Sequence, residues 1–216
     1  MFLTISLSEM NYRMGNYRQF LNNVEDLTLF STGISKAIPG RMSSTYLNLG
    51  IFDSSFYFTN QIIKNDPKFG YFSKAKTYYY MDSFNDCIKN IQISKTYSTE
   101  THFDSLKHKS SISYFMLASL SELNQLDSAK QYAIELEKNT TNKSVWDYLV
   151  LAKYYFFTGD KNKGCNCVNL GMELYRTELM KNKPSIQDSP IFIAKYLRAK
   201  VQELYNLKQN KCKQWE

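Results

Sequence analysis

Five short segments of the chain share one arrangement, with a turn former near the start, polar residues after it, and a small or apolar residue at the end. They are MGNYRQF (Met14 to Phe20), LGIFDSS (Leu49 to Ser55), MDSFNDC (Met81 to Cys87), LNQLDSA (Leu123 to Ala129) and TGDKNKG (Thr158 to Gly164). Their last residues, at positions 20, 55, 87, 129 and 164, are spaced by 35, 32, 42 and 35. A period in this range marks stacked supersecondary units, each too small to bury its own apolar face. The longest interval falls at TYSTETHFDSLKH (Thr96 to His108), read as an extended second helix or a longer loop.

Between these turns the pattern is helical. Apolar residues recur at three- and four-residue spacing in SYFMLASLSELNQLDSAKQYAIELEK (Ser113 to Lys138) and in SPIFIAKYLRAKVQELYNLKQ (Ser189 to Gln209), while strand-type alternation is scarce. In the second stretch Ser189 suits an N-cap and Pro190 the first helical position, where its missing N–H is harmless. The spacing predicts a closing helix with Ile191, Ala194, Leu197, Val201 and Leu204 on its packed face. With 43% hydrophobic and 15% aromatic residues, the 216-residue chain can supply a substantial core for a single continuous array.

The helix pairs resemble the tetratricopeptide repeat (TPR) family. The fifth unit carries the likeness most clearly, with Tyr148, Leu151, Ala152 and Tyr155 before the turn Gly159-Asp160, then Gly164 and Val168. The third offers Tyr71, Ala75, Tyr78, Cys87 and Ile91, the second ends in Asp66-Pro67, the fourth keeps Met116, Leu120 and Ala129, and the first keeps Gly15, Tyr17, Phe20 and Val24. The resemblance covers residues 1–184 as units near 1–35, 36–67, 68–109, 110–144 and 145–184, with 185–216 left for a capping helix and basic tail. It implies an all-α, right-handed superhelical array of about five helix-turn-helix units plus that C-terminal helix. An irregular helical bundle is the alternative.

Consecutive aromatics are the second informative feature. KYYFFTGDKNKG and KTYYYMDSFNDC each place three or four rings in a row before a turn, and a helix that advances about 100° per residue cannot turn them all toward one core. The family pattern assigns Tyr148, Leu151, Ala152 and Tyr155, with Tyr71, Ala75 and Tyr78, to the seams between units. It leaves Trp146, Leu149, Lys153, Phe156 and Phe157, with Phe69, Phe72, Lys76, Tyr79 and Tyr80, for the concave side, and the first unit adds Tyr12 and Arg13. Tyr and Trp join large apolar area to a polar handle, so such a surface suits a peptide with apolar anchors and some negative charge. The same rings could instead only fill wide gaps between helices.

Catalytic signatures are missing from the sequence. Cys165 and Cys167 in CNC point about 200° apart on a helix, are poor joint ligands and read as small core residues. His102 and His108 lie in the spacer without a nucleophile motif, and no phosphate-binding loop is present. No cofactor and no metal is expected. Four cysteines in a chain this long suggest no disulfide framework, and with neither a signal peptide nor a transmembrane run in the sequence, a reducing, cytoplasmic setting is the default reading. The formal charge is +7, of which residues 195–216 carry +4 through Lys195, Arg198, Lys200, Lys208, Lys211 and Lys213 against Glu203 and Glu216. The expected role is a non-enzymatic scaffold or adaptor that holds a segment of another protein in its groove. The alternative is a nucleic-acid-associated helical repeat, which a continuous Lys/Arg stripe would favour.

Overall fold

A computed structural model describes residues 16–28, 38–97, 106–138, 143–181 and 192–212. Ten helices and no strand occur among the described residues. In chain order they are α1 (Tyr17–Thr28), α2 (Ile38–Leu49), α3 (Phe52–Asn65), α4 (Pro67–Tyr80), α5 (Phe84–Thr96), α6 (Leu106–Glu122), α7 (Leu126–Lys138), α8 (Val145–Phe157), α9 (Lys161–Lys181) and α10 (Phe192–Lys211). Successive helices pack on each other, and α2 on α4, α4 on α6 and α6 on α8 also touch, which makes the chain an all-α array of stacked helix pairs.

The repeated segments form one turn, built four times among the described residues. Gly50, Asp82, Asn124 and Gly159, each second in its segment, take the left-handed conformation with φ of 76°, 57°, 56° and 84°. Glycine, asparagine and aspartate are the residues that tolerate this region, which is why they recur there. Three of the turns close with the same long-range bond past the helix end: Ile51 N–H donates to the Tyr46 carbonyl at 2.8 Å, Ser83 to Tyr78 at 2.9 Å and Gln125 to Leu120 at 2.8 Å. The last residue of each segment then closes the first turn of the next helix: Ser55 N–H donates to Ile51, Cys87 to Ser83, Ala129 to Gln125 and Gly164 to Asp160. Ser55, Cys87 and Ala129 are fully buried and Gly164 is buried, the last under the Phe156 ring of the preceding helix.

Local signals start the remaining helices. Asp66 accepts the Phe69 N–H at 3.0 Å and Pro67 occupies the first position of α4. Ser144 and Asp147 form a reciprocal capping box at the start of α8, with the Asp147 carboxylate accepting the Ser144 N–H at 2.8 Å. The principal core runs from Phe72 through Ile91, Leu117, Leu136, Leu151 and Val168 to Leu204. A smaller one joins Phe20 to Met42, with Tyr46 and Phe58 stacked at 5.6 Å beside it.

The closing helix does more than cap. It packs on α9 and α8, as a terminal helix should, and it also reaches α2 near the opposite end of the array. Of the expected packed face, Leu204 is fully buried and Val201 half-buried, while the side chains of Ile191, Ala194 and Leu197 lie outside the described residues.

Candidate functional site

The inner face is formed by α2, α4, α6 and α8, and α10 lies against it. At its centre is Tyr79 of α4, which is 4% exposed and whose ring meets Phe115 at 5.0 Å, Tyr114 at 6.1 Å and Tyr196 of α10 at 6.4 Å. Its hydroxyl hydrogen-bonds with those of Tyr114 and Tyr196. Burial pushes the Tyr79 phenol well above its usual range, with the neighbouring hydroxyls adding to the effect, and burial also raises Tyr114 and Tyr196. Tyr80 stands edge-on to Tyr196 at 5.0 Å, and burial pushes it up to about 12. All four phenols therefore stay neutral at physiological pH, and the cluster joins α4, α6 and α10 by ring contacts and hydroxyls without charge.

Two turns further along α10 the contact becomes ionic. Lys153 of α8 bridges Glu122 of α6 and Glu203 of α10, the latter at 3.0 Å, and Glu203 also meets Lys200 at 3.3 Å. Burial alone would lower the Lys153 ammonium, but its bonds to the two carboxylates leave it raised. Burial alone would likewise raise Glu203, yet Lys153 and Lys200 hold it below the usual carboxylate range. Beyond this pair Leu204 enters the space left by Gly171 of α9, where an added Cβ would lie 3.2 Å from Leu204 Cδ2 and 3.1 Å from the Tyr148 Cβ. Tyr196, Lys200, Glu203 and Leu207 thus form one stripe at four- and three-residue spacing along α10.

The residues expected on the concave side are divided by this arrangement. Tyr79, Leu149 and Lys153 line one crevice together with Tyr114, Glu122 and Lys200. Tyr80 joins them through Tyr196. Phe72 is buried against Phe115 at 5.9 Å in the seam between α4 and α6, and Lys76 lies 5.5 Å from the Phe72 ring with its ammonium lowered by burial. Phe156 covers Gly164 of α9, where an added Cβ would fall 2.7 Å from its ring, so it packs the helix pair. Trp146 is half-buried against the principal core, and Phe157 is 50% exposed at the end of α8. Phe69 is 43% exposed at the start of α4, and Tyr12 and Arg13 lie outside the described residues. On the seam side Leu151, Ala152, Tyr155 and Ala75 are buried, and Tyr71, Tyr78 and Tyr148 are half-buried.

Tyr114, Tyr196 and Glu203 were not singled out as site residues. The signal for the last two was the Tyr196-Lys200-Glu203-Leu207 stripe, which runs beside the apolar stripe on the same helix. Nothing local marks Tyr114, which belongs to the site only through the packing of α6 on α4.

The cysteines require a correction. Their number argued against a disulfide, and Cys165 read as a small core residue; the structure bonds Cys165 to Cys212 across 47 positions, with the Cα atoms 5.6 Å apart. The pairing follows from α10 returning to the start of α9, which spacing along the chain does not encode. Cys87 and Cys167 are buried free thiols, and burial pushes both up to about 11. Among the described residues no group of three His, Cys, Asp or Glu side chains could hold a metal ion, and no helix is long and apolar enough to cross a membrane. His102 and the His108 side chain lie outside the described residues.

Fold and site together define a helical repeat array whose inner face carries a helix. No protein-family model matches the sequence and no curated protein is detectably similar to it.

Proposed function

We propose that the chain is a tetratricopeptide-type scaffold, non-enzymatic and cytoplasmic, whose inner face binds an amphipathic helix of another protein. The observation that carries the reading is α10 itself, a helix seated on this face through a tyrosine and an ion pair and on the adjoining α9 through a leucine. A surface that accepts one amphipathic helix by such anchors is suited to another with the same stripe, an aromatic followed at helical spacing by an acid and an aliphatic residue. The lysines of the face favour a protein partner over nucleic acid, because Lys153 and Lys200 are engaged by Glu122 and Glu203 and offer no continuous cationic track.

The test uses the full chain with its own helix weakened by Tyr196→Ala and Leu204→Ala, and a fluorescently labelled peptide of residues 192–211 as probe. Saturable binding is expected, and adding Tyr80→Ala should weaken it about tenfold or more, as loss of an interface anchor does. Tyr57→Ala, at a site 62% exposed on α3, should leave it unchanged. Absence of saturable binding, or equal losses from both substitutions, would reject the groove as a helix-binding site.

A further inference from the structure

The Cys165–Cys212 bond joins the end of α10 to the start of α9. Cys165 stands at the start of the second turn of α9 and Cys212 is the first residue past α10, so the bond ties the C-terminal end of the groove helix to the body of the array. Among the described side chains of α10 only Leu204 is fully buried, and the Glu203 and Lys200 side chains are 34% and 26% exposed. The array beneath has its own continuous core from Phe72 to Val168, which Leu204 of α10 joins and against which Tyr196 and Leu207 pack. A helix stays on a surface when both its ends are tied and leaves more readily when one is freed.

We propose that Cys165–Cys212 is a redox latch: bonded, it keeps α10 on the inner face, and reduced by a dithiol, it releases the helix and opens the face to an amphipathic helix of another chain. The proposal rests on the groove reading above. In the opening step one thiolate of the dithiol attacks a sulfur of the bond, forming a mixed disulfide and expelling the other cysteine as a thiolate that takes up a proton. The second thiol of the dithiol then displaces the remaining cysteine, so two electrons and two protons pass to the protein and the reductant leaves as its own disulfide. Cys167 does not compete for the bond, because it is buried and on the opposite side of α9, with its thiol pushed up to about 11. Cys165 and Cys212 are themselves buried, but Lys163, Asn166, Asn210 and Lys211 beside them in the chain are exposed, and a dithiol reaches the sulfurs when the last turn of α10 opens. In a reducing compartment the pair would stand open and in an oxidising one closed, so the occupancy of the face would follow the thiol poise.

The experiment compares the full chain oxidised, reduced with dithiothreitol, and carrying Cys212→Ser or Cys165→Ser. Hydrogen exchange is read along the chain, and binding is read with the labelled peptide of residues 192–211. Release predicts that amides of α10 exchange about tenfold faster or more in the reduced and serine forms while those of α4 to α8 keep their protection. It also predicts that the peptide binds these forms about tenfold tighter or more than the oxidised chain, because the competing helix is no longer fixed in place. Equal exchange of α10 in all forms would overturn the latch. So would joint loss of protection from α4 to α8, which would make the bond a staple of the whole fold, or a bond found between two copies on a non-reducing gel. Faster α10 exchange with no peptide binding would keep the latch and reject the groove reading and the opening to a partner.

Discussion

Between α2, α3 and α4 the buried seam holds a network of hydroxyls beside Met42, Leu47 and Ile62, whereas between α6, α7, α8 and α9 the positions equivalent to Ser43, Ser55 and Thr59 carry no hydroxyl and aliphatic side chains dominate. In the first region Ser43 and Thr59 bond at 2.7 Å, Ser55 donates to the Ser43 carbonyl at 3.0 Å, and Ser55 meets Thr77 at 3.1 Å, all of them buried. In the second, Leu117, Ala129, Leu136, Leu151, Ala152 and Val168 are all 1% exposed or less. The two regions share turn geometry and helix pairing, so the stacked-pair architecture tolerates either filling wherever small groups meet. They differ in what holds them. Burying a leucine contributes about 2 kcal/mol, while a hydroxyl pair exchanges bonds to water for internal ones and contributes about 1 kcal/mol net. The hydroxyl region gains directionality, since each oxygen must find its partner, and gives up cohesion.

That contrast sets the order of expected effects. Leu151→Ala should be the most damaging, costing about 3 kcal/mol in urea denaturation, because the side chain is enclosed on all sides and its cavity cannot collapse without moving α6 and α9. Gly70→Ala should follow at about 2 kcal/mol, as overpacking does. An added Cβ there would fall 2.6 Å from the Ile63 backbone nitrogen and 2.8 Å from its Cα, and backbone cannot yield as a side-chain tip can. If Gly70→Ala were neutral, the close approach of α3 and α4 that the small hydroxyl residues permit would be wrong. Ser55→Ala should cost least, about 1 kcal/mol, since Thr77 keeps the Ser73 carbonyl and Ser43 keeps Thr59. A loss from Ser55→Ala as large as that from Leu151→Ala would erase the distinction between the regions.

Much of the array was legible because its turns are decided locally. A left-handed residue is a property of one backbone position, and Gly50, Asp82, Asn124 and Gly159 announce it by type. The small residue five positions later reports the close approach of a helix pair, again within one short segment. The split of the aromatics was less legible. Tyr79 and Phe156 carry the same kind of signal, yet one meets α10 and the other covers Gly164, a difference that depends on which helix is brought over each face.

By itself, then, the order of residues determined the helices, their turns and the period at which pairs stack, since each of these rests on contacts within a few residues along the chain. Only the tertiary structure decided what lies on the inner face and which cysteines meet. The stripe on α10 is compatible with several neighbours; its partners Tyr79 and Lys153 come from two different helices, and Cys165, which meets Cys212 just past the helix, comes from a third. Their meeting follows from the summed geometry of the intervening pairs, in which small rotations accumulate from unit to unit and no single segment records the total.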